Sequence, residues 1–351
     1  MNFKTLKRVF SSEKQDFIIA TEKKRRYDAP IALVRTVTTK NKRGRAMKGK
    51  HTFKKDLPLY LMALPGVAVL IAFCYVPMAG LILVFKDYNF KGGIFGSPWA
   101  DPLFKNFEFF FNNMENAIRA TRNTVGLNIL FFVFGTIFAV AIAIMLSEVH
   151  NKYFIKASQS IMFFPYFISW MVMGAILNAL LSSDVGVISK MLGKMGIEFD
   201  FYSSPGIWVL ILVLVVIWQS TGYNSVIYYG VLSGFDTSIY EAAQVDGASK
   251  WQQITKITLP LLRPTITIMF LLSVGNMLKG NLNMMIGLTN LNPLLLPVTD
   301  VIDVFVYRSG VQNGDMAFAS AISLYQSIFG FLLVVISNKI AKWYDKDTSL
   351  F

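Results

Sequence analysis

An all-α, polytopic membrane fold follows from three observations. The chain is 54% hydrophobic and only 16% charged, with a mean hydropathy of +0.48, which fits a soluble domain poorly. It contains continuous apolar runs long enough to cross a bilayer. One polar stretch with helix-start and turn signals lies between two of those runs. A spanning helix needs about 20 apolar residues to cross roughly 30 Å of hydrocarbon. Six segments qualify, at residues 59–85, 125–146, 157–181, 207–232, 265–288 and 317–336. Runs such as 209–217 do not alternate as barrel strands would, and a helix satisfies its own backbone in lipid.

Ahead of the first span, residues 1–57 carry 17 Lys/Arg against 5 Asp/Glu, or +12 of the net +13. The bias of basic residues toward the inner face places this segment in the cytoplasm. It lacks the apolar core of a signal peptide and is expected to be a mobile basic extension, drawn to anionic lipid by about 1 kcal/mol per basic residue near the surface. The charge has this explanation and no nucleic-acid module accompanies it, so nucleic acid is not an expected partner. Within it, residues 44–51 have the spacing of a phosphate-binding loop, but His51 stands where Ser or Thr would bind magnesium and no strand precedes it. This is a chance match. Six spans return the carboxyl terminus to the cytoplasm, where Lys339, Lys342 and Lys346 agree; residues 58–351 form the membrane domain.

The spans themselves carry few polar groups. Cys74 in the first reads as a small packing residue, and a single cysteine excludes an internal disulfide. His51 and His150 have no metal-ligand spacing. The third span offers Tyr166 and Trp170. The fourth has Gln219 and Tyr223 four apart, as are Ser220 and Asn224. Amides and aromatic rings suit a carbohydrate, and equally suit interfacial anchoring and helix packing. Gly230 and Gly234 could allow close helix approach, a weak signal alone. In the fifth span Asn276, Lys279, Gly280, Asn283 and Gly287 fall at helical offsets that share one face. They line a pathway or pack against a neighbouring helix. Ser320, Ser323 and Ser327 mark a packing face of the sixth. No Asp or Glu lies inside any of the six, which disfavours a proton-coupled secondary carrier, the alternative function. A membrane-embedded enzyme lacks a clustered acid, base or metal set; no catalytic residue, metal or bound cofactor is expected.

The polar stretch between the fourth and fifth spans, residues 238–263, reads Glu241-Ala242-Ala243-Gln244-Val245-Asp246-Gly247 and then Ile257-Thr258-Leu259-Pro260. Ser238 is expected to cap a short helix, Gly247 to make a sharp turn, and residues 248–257 to form a second helix stopped by Pro260.

This pattern closely resembles the EAA signature loop of type I, maltose-importer-like ABC permeases. Weaker similarities, in Leu59-Tyr60-Leu61-Met62, Phe85-Lys86-Asp87-Tyr88-Asn89, Gly96-Ser97-Pro98-Trp99 and Val306-Tyr307-Arg308, resemble the polysaccharide and oligosaccharide importers of the lipoprotein-operon and alginate-importer type. The resemblance implies a permease subunit of a binding-protein-dependent importer in a bacterial cytoplasmic membrane. Its implied partners are a second, non-identical permease, an ABC ATPase dimer that binds the ATP and magnesium, an extracellular solute-binding protein and a saccharide. It further implies that the loop is a coupling helix. There Glu241 would pair with a basic groove residue, Ala242 and Ala243 would allow close approach, Asp246 and Gly247 would form the turn, and Ile257, Leu259 and Pro260 would fix the loop to the fifth span.

Overall fold

The computed structural model describes residues 53–112 and 114–344. The basic extension as far as residue 52, with its phosphate-loop-like run and His51, lies outside these, as does Lys346. The chain divides into two units, Met1–Cys74 and Tyr75–Phe351. In the first, helix α1 (Phe53–Leu70) contains Pro58 and Pro65 and runs into a π turn over Ile71–Tyr75. Cys74 in that turn is exposed, so it is not the packing residue expected.

The regular structure of the second unit's described residues is helical, apart from an isolated bridge between Lys86 and Trp99. That bridge joins two of the segments whose pattern suggested a family. The buried Lys86 donates from Nζ to the carbonyls of Phe95 (2.6 Å) and Ser97 (3.0 Å) and lies 5.3 Å from the centre of the Trp99 ring. A buried ammonium needs such acceptors to offset its desolvation.

The second unit's longer helices are α2 (Lys105–Asn112), α3 (Met114–Ser147), α4 (Lys152–Phe163), α5 (Trp170–Leu181), α6 (Val187–Lys194), α7 (Pro205–Leu232), α8 (Thr237–Val245), α9 (Lys250–Val274), α10 (Leu282–Thr289) and α11 (Ile302–Tyr307). Helix α12 (Met316–Tyr344) closes the described chain. Helix starts are capped by side chains: that of Asn151 accepts from the N–H of Tyr153 and Phe154, and Ser169 caps α5. Pro205 occupies the start of α7, where its missing N–H costs nothing.

Among the described residues five helices are long and apolar enough to cross a membrane, and a bent pair can make a sixth. Four of the six expected spans have counterparts close to their expected places. The third and fifth differ. The third is broken at Ile168–Ser169, with its halves bent by 93°. Pro165 ends the regular α-helix of the first half, because its ring cannot continue the hydrogen-bond ladder, and Ser169 restarts the second half. The fifth runs earlier than expected, over Lys250–Val274. Pro260 does not stop a helix: it sits at the start of a regular helical stretch that continues from a π turn over Ile254–Thr258. After Val274 the chain unwinds, and Asn281 at φ +33° caps the short α10.

Helices α3 and α7 are the most extensively packed pair. Leu127, Met173, Trp208, Leu212, Met285 and Val304 pack together from α3, α5, α7, α10 and α11, and Ala139, Ala143, Tyr228 and Leu262 join α3, α7 and α9. Two glycine contacts set the spacing. A Cβ on Gly174 of α5 would lie 1.8 Å from the carbonyl oxygen of Gly287 in α10, and one on Gly222 of α7 would lie 1.8 Å from that of Met162 in α4. Only hydrogen fits at such backbone approaches. Gly230 has no such neighbour. Ser320, Ser323 and Ser327 each donate to a carbonyl four residues earlier on α12, so they satisfy themselves within the helix.

Candidate functional site

Between α7 and α9 the polar stretch forms an exposed helical hairpin. Its cap is Asp236 rather than Ser238: the carboxylate accepts from the Ser238 backbone N–H at 2.9 Å. That same bond holds the Asp236 carboxyl below its ordinary range. Aspartate two residues before the expected cap wins because Ser238 already lies in the first turn. Glu241, Ala242 and Asp246 of α8 and its turn are exposed, Ala243 is half-buried, and Val245 is 88% exposed. Gly247 has φ +78°, and its N–H donates to Gln244 while Ala248 N–H donates to Ala243. These bonds end α8 in the left-handed turn that glycine favours.

The second arm starts at Ser249, whose side chain and that of Gln252 cap each other's backbone. Two contacts brace the hairpin internally, and a third ties it to the bundle. Tyr240 Oη lies 3.1 Å from Thr258 Oγ1 in the π turn. Buried Gln253 donates to the Ala248 carbonyl. Lys250 pairs with Glu148, just beyond α3, at 2.6 Å. Ile257 is half-buried, and Leu259 and Pro260 are exposed at the base of α9. The arrangement presents an exposed acidic and apolar helix on a braced stem.

A second feature lies within the bundle. A cavity of about 230 Å³ is lined by Asn128, Phe131, Trp170, Gln219, Ser220 and Lys279, among others. The structure therefore brings together Trp170, Gln219 and Lys279, named from separate spans. Both span breaks border this cavity, and side chains satisfy their loose carbonyls. Gln219 donates to Ile168 at 3.2 Å, and Asn128 donates to Met277 and Lys279 at 3.0 and 2.9 Å. Irregular backbone at this depth persists only where such partners exist or a cavity is lined.

Other expected pathway residues are elsewhere. Asn276 and Asn283 are exposed and separated by the break, so the proposed stripe is not one helical face; Gly287 packs against Trp170 and Gly174. Tyr166 and Tyr223 stack at 4.6 Å between ring centres, with Phe163 beside them. Asn224 lines a separate cavity of about 180 Å³ with Phe132, Tyr228 and Met269.

The sequence reading missed the acidic residues that matter structurally, because they sit between the placed spans. Asp300 is fully buried and its Oδ2 accepts from Arg119 at 2.9 Å and Arg308 at 2.8 Å. Asp303 accepts from the Gly280 N–H and from Gln326, which also donates to the Leu278 carbonyl. A signal was present: two aspartates in an otherwise apolar run, 294–306, signify burial with partners.

The all-helical bundle with its broken spans and exposed interspan hairpin defines a membrane permease component. The chain belongs to the binding-protein-dependent transport system inner membrane component family, whose model matches residues 133–349. Its members are permeases of ABC transporters, not enzymes. It is 31% identical over 305 residues to Protein LplB of Bacillus subtilis (strain 168), covering 87% of this chain and 94% of LplB. It is 30% identical over 290 residues to the polygalacturonan/rhamnogalacturonan transport system permease protein YteP of the same strain, covering 82% and 89%. Among solved structures it resembles a chain of a bacterial ABC transporter involved in the import of the acidic polysaccharide alginate. The TM-score is 0.74 and the identity 32%, over 84% of this chain and 98% of that one. A second structure of an alginate transporter, in complex with alginate pentasaccharide-bound periplasmic protein, matches at TM-score 0.73.

Proposed function

We propose that this permease forms the membrane pathway of a saccharide importer together with a second, non-identical permease. An ABC ATPase dimer carries the ATP and magnesium and drives it, and an extracellular solute-binding protein delivers an oligo- or polysaccharide. The single observation that carries the coupling is the hairpin: a well-capped helix displayed outside the bundle, with Glu241, Ala242 and Val245 exposed and its stem fixed to α3 and α9. A rigid helix held at its base moves with its span when its tip is pushed. The saccharide reading rests on the printed substrates of the relatives and on the cavity that unites Trp170, Gln219 and Lys279. The termini are assigned to the cytoplasm from the charge of residues 1–57.

Extraction of the tagged chain in mild detergent, with identification of its co-purifying proteins, tests the assembly. Recovery with an ABC ATPase and a second permease supports it. A lone chain that carries solute without ATP would replace it with a secondary carrier.

A further inference from the structure

The cluster of Arg119, Asp300 and Arg308 has more positive charge than its one carboxylate balances. Both guanidinium groups donate to the same oxygen, Oδ2, of a side chain with no exposed surface. Asp300 Oδ1 and the Nε atoms of both arginines are buried without a hydrogen-bond partner among the described residues. Each arginine keeps about a quarter of its side chain exposed, 29% for Arg119 and 25% for Arg308.

Arg308 opens onto a cavity of about 530 Å³, lined also by Asn116, Ser309, Gln312, Asn313 and Asp315. A π turn over Arg308–Gln312 builds this wall. With its wider winding, residues 308, 309, 312 and 313 reach one side; such turns are frequent at functional sites. The cavity also holds one opposing charge, Asp315. Its carboxylate accepts from the Phe318 N–H at the start of α12, where the helix dipole favours a negative group. Phe305 and Phe318 supply an apolar floor, edge to face at 5.8 Å.

The cavity lies beside the first turns of α3, and the coupling hairpin braces against the far end of that helix through Glu148. A helix of 34 residues separates the two by about 50 Å. On the reading proposed above, which this inference rests on, the hairpin faces the ATPase and the cavity faces the outside.

We infer that this outer cavity is a subsite for the carboxylate of an acidic saccharide, a uronate unit, with Arg308 as its charged contact and Arg119 supporting the charge from behind. A guanidinium presents paired N–H donors in a plane that matches a carboxylate. Gln312 and Asn313 offer donors and acceptors for ring hydroxyls. Charge at the outer mouth selects and orients the arriving ligand before it reaches the inner cavity. The inner cavity is smaller, about 230 Å³, and its one cation is Lys279.

The test uses the complete importer in proteoliposomes with its binding protein in excess. The probes are trigalacturonate and its carboxyl-reduced, neutral counterpart. Arg308→Lys keeps the charge and loses the fork, whereas Arg308→Gln removes the charge and also unbalances Asp300. Gln312→Glu places a negative charge in the cavity without touching the buried cluster, so it remains informative if Arg308→Gln does not fold. Expected is a rise of about tenfold or more in the half-saturating trigalacturonate concentration for Gln312→Glu, less for Arg308→Lys, in each case several times larger than the change for the neutral trimer. Equal effects on both probes, or none, overturn the subsite and leave the importer reading standing. Uptake of neither probe by a wild-type complex that hydrolyses ATP overturns the subsite too. Failure of the chain to assemble with an ATPase would instead remove the reading on which it rests.

Discussion

The hydroxyl of Tyr240 and Oγ1 of Thr258 lie 3.1 Å apart, joining the exposed helix α8 to the π turn at the base of α9. Thr258 is buried and Tyr240 half-buried, so this is the inner anchor of the hairpin, whereas the Glu148–Lys250 pair is its solvent-exposed counterpart. Tyr240 thereby fixes α8 to the base of α9, and Lys250 fixes the start of α9 to the end of α3.

Tyr240→Phe removes the inner anchor but leaves the ring. A hydrogen bond of this kind contributes about 1 kcal/mol net, too little to unfold the chain. The expected outcome is normal membrane insertion with ATP hydrolysis less tightly coupled to uptake, read as more ATP consumed per solute carried. An unchanged ratio would show that the contact is not mechanical.

Glu241→Lys and Gly247→Asp act on the tip. The first reverses the exposed charge of α8, and the second puts a Cβ at φ +78°, a conformation that costs a non-glycine residue about 1 kcal/mol or more. Both should abolish uptake or ATPase assembly with insertion intact. Wild-type uptake by either variant would count heavily against docking through α8.

Asp300→Ala leaves two partly buried guanidinium groups without their counterion. Loss of one partner from such a cluster costs about 3–5 kcal/mol. Thermal unfolding in detergent should therefore shift down by several degrees or more, and far more than for Asp87→Ala, whose pair with Lys105 is exposed on both sides. Similar shifts for the two would contradict a structural role for the cluster.

Gly174→Val tests the crossing of α5 and α10. The added carbon would meet the Gly287 carbonyl oxygen at 1.8 Å, so the helices must separate, at a cost of several kcal/mol. Gly230→Val, where no atom stands within 4 Å, should leave expression and melting temperature nearly unchanged. Equal tolerance of both substitutions would argue against the close crossing.

Much of the fold was legible because lipid leaves a helix few alternatives: composition and apolar run length place α1, α3, α7 and α12. The breaks were not legible in the same way. Residues 265–288 look like one span because every residue from Phe270 to Val274 is apolar or small, yet the break that follows depends on amides of distant helices, Asn128 and Gln326, to satisfy its carbonyls. Periodicity cannot show a partner about 150 residues away. The same holds for the pathway residues. Gln219 and Lys279 meet at one cavity because both span breaks border it, whereas Asn276 and Asn283, regular on paper, are divided by the break. The hairpin was the most readable part, since Gly247 and the capping residues act over a few positions. Even there, Asp236 displaced Ser238 as the cap.

The central claim, that α8 is the surface through which ATP hydrolysis acts on this permease, can be tested by cross-linking. Cys74 is the chain's only cysteine, so a Cys74→Ser background with Val245→Cys places one thiol at a position 88% exposed on α8. Membranes containing the whole importer would be treated with a short thiol-directed cross-linker and the adduct identified. The account predicts an adduct between this chain and the ATPase subunit whose yield changes with bound nucleotide. An intact, transporting complex that gives no ATPase adduct from this position, while a thiol at the opposite end of α3 does give one, would contradict it.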